Sequence, residues 1–137
     1  IERARKVAWT GGAVAAAALG LVGAVAAMFP SAWSGLFAAE PAVRSAADLY
    51  LRFTGPAFPI FGLGLCLYFA SQGAGKVLGP VLAASLRLAI VTAGAAVLAW
   101  AAAPMWSLFA LVSLSLVAYG LATAAAVYAT NWAPEAR

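Results

Sequence analysis

Arg87 is the ionisable residue set deepest in apolar sequence, well inside a stretch that otherwise holds no charge after Lys76. At the centre of a membrane helix such a charge costs roughly 2.5–3.5 kcal/mol unless it faces a partner or water. Two placements satisfy it: an inward course into a cavity, or a stem that snorkels back toward the helix end near Lys76. The acids are Glu2, Glu40, Asp48 and Glu135, none of them in the middle of an apolar stretch. A proton or sodium relay generally uses an intramembrane carboxylate to bind and release its ion, and this sequence offers none. There is no histidine and a single cysteine, Cys66, which excludes a disulfide framework and a zinc site. Buried among apolar residues, Cys66 packs as a small hydrophobe.

Non-covalent recognition is the chemistry that remains. Tyr68, Ser71 and Gln72 close one apolar stretch and face Arg87 across a short turn, either as cavity groups or as polar helix ends at the water interface. Phe53, Phe58, Phe61, Tyr68 and Phe69 populate the same stretch and suit a pocket for a hydrophobic cation or plain lipid-facing packing. Two prolines, Pro56 and Pro59, remove backbone donors there and should kink or loosen the helix. A broken backbone in a membrane usually lines a protein cavity. Arg87, Gln72, Tyr68 and Phe58 are therefore the candidate cavity residues, Pro56 and Pro59 the candidate kink; no catalytic residue, metal or bound cofactor is expected. The turn itself, Gly73-Ala74-Gly75-Lys76, lacks the spacing and the flanking strand of a phosphate loop.

The elements that must position these residues are membrane helices. The chain is 66% hydrophobic and 9% charged, with a mean hydropathy of +0.98, against roughly 25% charged residues in a soluble domain. Charge-free runs separate Lys6 from Glu40, cover Phe53 to Gly75, and extend from Leu88 to Pro134. Each is long enough for a span of about 20 residues. The expected spans are about 7–29, 45–72, 77–101 and 104–128, four antiparallel helices. The basic start and apolar first run resemble a signal peptide, but the run is too long and leads into further spans.

Small residues at Gly12, Ala16, Gly20 and Ala24 give the first span a face for close helix packing. Pro30 ends it, and Trp33 and Phe37 suit the headgroup level. Pro41 can open the next helix, where Asp48 stands four residues from both Arg44 and Arg52 and can pair with either. Trp100 and Trp106 bracket an uncharged connection that makes the last two helices neighbours. The phrase Pro30-Ser-Ala-Trp-Ser-Gly-Leu-Phe-Ala has an echo in Pro104-Met-Trp-Ser-Leu-Phe-Ala, both following an odd-numbered span and so at one membrane face. With four spans both termini share a side. Arg3, Arg5, Lys6, Lys76 and Arg137 collect there, which marks it as cytoplasmic, against Arg44 on the other side. The net charge of +4 is spread along the chain and does not form a nucleic-acid face. Alanine and glycine richness points to a high-GC bacterial source and its inner membrane.

The residues resemble a known family, the multidrug and toxic compound extrusion transporters. The resemblance rests on Arg3-Ala4-Arg5, Leu36-Phe37, Glu40-Pro41, Tyr50-Leu51-Arg52 leading to Pro59, and above all Ala70-Ser71-Gln72-Gly73-Ala74-Gly75. It continues through Gly79-Pro80-Val81-Leu82 to Leu86-Arg87-Leu88. It implies the last four helices of the C-terminal six-helix lobe of a twelve-helix antiporter, which exports cationic or aromatic compounds against a sodium or proton gradient. Its partners would be the lipid bilayer, a small cationic or aromatic substrate and the remaining helices. With Ile1 in place of an initiator methionine, the chain is expected to be a fragment. Some branches of the family carry a carboxylate midway along the helix that here holds Phe61 and Gly62, so its absence leaves the coupling ion open. The alternative from another class is a small four-helix structural or assembly protein of the membrane. A dimeric small multidrug transporter has the right length but wants a carboxylate in its first helix.

Overall fold

The computed structural model describes residues 2–132, and every regular element among them is helical. Six α-helices follow in order: α1 (Glu2–Met28), α2 (Pro30–Phe37), α3 (Pro41–Thr54), α4 (Phe58–Gly73), α5 (Leu78–Trp100) and α6 (Met105–Ala129). A 3-10 turn, Gly55–Ala57, joins α3 to α4, so Pro41–Gly73 forms one long span. With α1, α5 and α6 it makes four helices long and apolar enough to cross a membrane. The chain is an all-α, multi-pass membrane protein. Ile1, Glu135 and Arg137, and the end of the last charge-free run at Pro134, lie outside the described residues.

Prolines set the boundaries. Pro30 opens α2 and Pro41 opens α3, each in the first turn, where a helix has no use for the missing N–H. At the joint between α3 and α4, Pro59 cannot donate to the Gly55 carbonyl, and the Phe58 N–H takes it instead in 3-10 fashion. The interruption therefore costs few unmet groups and still changes the helix type in mid-span. Fully buried hydroxyls are satisfied within their own helices: Thr54 donates to the Tyr50 carbonyl at 2.8 Å and Ser115 to that of Val112 at 2.6 Å.

Helix α4 sits at the centre, with α1 along one side and α6 along another, while α5 packs along α6 rather than along α4. The central contacts are backbone on backbone. A Cβ placed on Gly55 would stand 2.5 Å from the Gly23 carbonyl oxygen, and one on Gly64 would stand 2.7 Å from the Gly120 Cα. In lipid, where apolar side chains gain nothing from mutual burial, such close approach is what holds helices together. Ala8, Leu67 and Val127 close the core where α1, α4 and α6 meet.

The packing face of α1 differs from the expected one. Ala8, Gly12, Gly23 and Ala26 are buried, whereas Ala24 is exposed. A strict four-residue repeat drifts by about 40° per step against the 3.6-residue turn, so Gly12 and Ala24 cannot share one line of contact.

The α4–α5 turn closes on Gly75, whose φ of +70° is the left-handed conformation that glycine adopts without strain. The Lys76 N–H bonds the Ser71 carbonyl at 2.9 Å and the Gly75 N–H that of Gln72 at 3.0 Å, a Schellman cap. Pro80 then falls in the first turn of α5, where it was expected.

Candidate functional site

The four candidate cavity residues separate into different places. Phe58, at the start of α4, lines an apolar pocket of about 450 Å³ between α1, α2 and α3 with Val22, Ala26, Trp33, Phe37 and Tyr50 among its walls. Gln72, in the last turn of α4, is exposed. Tyr68 is half-buried and meets Phe69 edge-on at 5.5 Å between ring centroids. Arg87 neighbours neither Gln72 nor Phe58 in the described contacts. Its guanidinium carbon lies 5.5 Å from the centroid of the Phe61 ring.

That contact places the charge deep. At 1.5 Å per residue Phe61 lies about 18 Å along α4 from its Gly73 end, and Arg87 about 14 Å into α5 from Leu78. The side chain therefore runs away from Lys76, not toward it. On the other side of Phe61 lies Tyr119 of α6, ring centroids 5.7 Å apart, and Tyr119 is within electrostatic range of both Arg87 and Tyr68. The result is a cluster drawn from three helices, α4, α5 and α6, around one permanent positive charge.

Magnitudes decide how well that charge is accommodated. A guanidinium over an aromatic face gains about 0.5–2 kcal/mol, while a mid-membrane arginine costs roughly 2.5–3.5 kcal/mol on insertion scales. The ring offsets part of the cost. Among the described residues Arg87 donates no hydrogen bond, although its edge carries five N–H donors. The site is thus one permanent cation with an aromatic backing and an open hydrogen-bonding edge. Because guanidinium does not lose its proton, it can bind, steer or repel, and it cannot act as a general base.

A second polar cluster stands at the far end, beside the apolar pocket. Asp48 accepts hydrogen bonds from Ser34 at 2.5 Å and Ser31 at 3.1 Å, tying α3 to the short helix α2. The expected pairing of Asp48 with Arg44 or Arg52 is not what forms. Arg44 turns back to donate to the carbonyls of Ala38 at 2.8 Å and Gly35 at 3.1 Å. The capping of α2 and the α2–α3 loop by Arg44 leaves the carboxylate to the serines. Trp33, Leu36 and Phe37 are exposed on α2 and suit the membrane interface.

The loosened joint lies between these clusters. Pro56 and Pro59 flank the change from 3-10 to α geometry, and Gly20 approaches Pro59 so closely that a Cβ on it would stand 3.1 Å from the proline ring. The aromatic residues disperse accordingly: Phe53 stacks on Trp106 at 6.3 Å, and its neighbour Tyr50 meets Phe109 edge-on at 5.4 Å. These pairs hold α3 on α6 and leave Phe58 and Phe61 to the two sides of α4.

Sequence reasoning passed over Tyr119 and Ser34 as site residues. A signal for the first was available: Ser115, Tyr119 and Thr123 recur every four residues and all three are buried, a polar stripe turned inward. No such signal marked Ser34, whose partner is fourteen residues away on another helix.

At the basic end, Arg5 donates to the Tyr128 carbonyl and stands over the Tyr128 ring at 5.5 Å, so the beginning of α1 meets the end of α6. Lys76 lies at this end too, near Ala126 and Ala129.

A model of the MatE family matches residues 1–98, which takes in α1 to α4 and nearly all of α5. Comparisons with curated proteins and with solved structures returned no match. The family match covers well over half of the 137 residues, and the chain belongs to the MatE family.

Proposed function

We propose that this MatE-family chain forms four helices of a secondary active antiporter that exports cationic or aromatic toxic compounds against a sodium or proton gradient. Membership of the family supports efflux transport as the activity, with no covalent step. The observation that carries the reading is the interrupted second span: its 3-10 turn at Gly55–Ala57 lies against the Gly23 backbone and beside the apolar pocket walled by Phe58. A purely structural subunit has no use for a break at that depth, whereas alternating access requires helices that bend. The described helices hold no mid-span carboxylate, so the coupling ion would bind on the remaining helices of the lobe pair.

In this reading the bacterial inner membrane holds the protein, and the end carrying Arg3, Arg5, Lys6 and Lys76 faces the cytoplasm. Phe58 lines one apolar surface of the transport path, and Arg87 with Phe61, Tyr119 and Tyr68 forms another. Gln72 stands at the cytoplasmic mouth.

The test is efflux of a fluorescent aromatic cation such as ethidium from cells producing the full-length protein. Expected is export that stops when the proton and sodium gradients are dissipated by ionophores, and that weakens severalfold with Pro59→Ala. Cells in which the compound accumulates equally with and without the protein would refute the transport reading.

A further inference from the structure

The charge at Arg87 is not matched by anything this segment supplies. Its four helices carry no acid at that depth: Asp48 lies about 20 Å along the span from Phe61 and is already held by Ser31 and Ser34. The guanidinium presents one face to the Phe61 ring and keeps its hydrogen-bonding edge open among the described residues. Tyr119 continues the aromatic surface from Phe61. A planar cation backed by two rings is complementary to a planar oxyanion attached to an aromatic body. The oxyanion takes two parallel N–H bonds, and the body lies against the rings. A purely cationic compound would meet repulsion at the same spot.

We propose that Arg87, with Phe61 and Tyr119, forms a subsite for the carboxylate of an aromatic substrate, so that the transported compounds include aromatic acids or zwitterions and not cations alone. This rests on the transport reading above for its meaning, but the subsite is a binding property and is measured without transport. The same oxyanion chemistry is available from a lipid phosphate or from an acidic side chain on another helix, and the experiment separates these sources.

The full-length protein in nanodiscs of neutral phosphatidylcholine is titrated with 2-naphthoate and with its methyl ester, which keeps the ring and removes the charge. Expected is binding of the acid about tenfold or more tighter than the ester, the scale of one charge-assisted pair. Arg87→Gln abolishes that preference while leaving ester binding in place, which also shows that the variant is folded, and Arg87→Lys keeps part of it. Equal affinity for acid and ester, no binding of the acid, or a preference that survives Arg87→Gln overturns the proposal. Loss of the preference when phosphatidylglycerol replaces part of the lipid assigns the subsite to lipid phosphate and also overturns it. Failure of ethidium efflux with the acid preference intact refutes the transport reading and leaves the subsite standing.

Discussion

Helices α4 and α5 are joined by one turn and are similarly apolar, yet they are held in different ways. Helix α4 touches both α1 and α6, and its crossings with them leave no room for a side chain. Helix α5 packs along α6 and leaves most of its length exposed among the described residues, including Leu78, Leu82, Leu86 and Leu88. The central helix is broken by prolines and tightly bounded; the outer one is regular and carries the deep charge. Backbone contact fixes position, and the helix so fixed can afford an interruption. A helix free on one side is where further helices or lipid must complete the environment.

Two glycines test that contrast most sharply. At Gly120 a Cβ would run into the Ile60 carbonyl oxygen and come within 2.6 Å of its Cγ2. At Gly94 a Cβ would stand 2.6 Å from Leu111 Cδ1, the far end of a flexible side chain. The two distances look alike and their consequences differ, because a carbonyl cannot turn aside and a leucine methyl can. Gly120→Val should therefore cost at least the upper part of the usual overpacking range of about 1–3 kcal/mol and lower the yield of folded protein. Gly94→Ala should cost less than about 1 kcal/mol. Thermal unfolding in detergent, read by size-exclusion of the heated sample, measures both. Equal losses would mean that α5 is seated as firmly as α4.

The next largest effect concerns the other anchor of the central span. Removing the Ser34 hydroxyl leaves Asp48 with Ser31 alone, and loss of a buried hydrogen bond to a charged acceptor costs about 1.5–3 kcal/mol. Ser34→Ala should loosen α2 from α3 and raise the labelling rate of a cysteine placed at Ala47, a wall of the apolar pocket. Unchanged labelling would show that Trp33 and its neighbours, not the polar pair, hold α2 in place.

Much of this arrangement was legible from residue types. The four spans follow from charge-free runs, and the α4–α5 turn from Gly73 to Pro80 reads directly, since glycine and proline act through local backbone geometry. Contacts that depend on which helix lies opposite were not legible. Asp48 looked paired with arginines four residues away because spacing reports only its own helix, and the winning partners sit on α2. Ala24 looked like part of a packing face because four-residue spacing ignores the drift of the helical turn. Phe58 and Arg87 looked like one cavity because both flank the same joint, whereas α4 turns Phe58 toward α1 and Phe61 toward α5. The identity of Arg87 as a deep charge was plain; that its neighbour is a ring required the fold.

Arg87 distinguishes the two helices in a second way. If no carboxylate in the protein pairs with it, Arg87→Met should leave thermal stability unchanged or raise it by about 1 kcal/mol, the difference between the insertion cost and the cation–π gain. A loss of 3 kcal/mol or so would reveal a broken buried ion pair and place an acid on a helix that packs against the open side of α5.

The smallest effect lies in the two turns that bound α5. Both are Schellman caps: after α5 the Ala103 N–H bonds the Leu98 carbonyl at 2.9 Å and the Ala102 N–H that of Ala99 at 3.2 Å. The first turn places Gly75 in the left-handed position, the second places Ala102 there with φ of +50°. A left-handed alanine costs roughly 1–2 kcal/mol, while glycine adds about 0.4–1 kcal/mol of unfolded-chain entropy. Ala102→Gly should therefore stabilise by a few tenths of a kcal/mol to about 1 kcal/mol, and Gly75→Ala should destabilise by a similar amount, both read as shifts of the unfolding temperature. Opposite signs from substitutions at equivalent positions would establish that the turns are the same device built from different residues. If Ala102→Gly destabilises instead, the outer turn is set by the packing of its neighbours, and α5 is less free than its exposed surface implies.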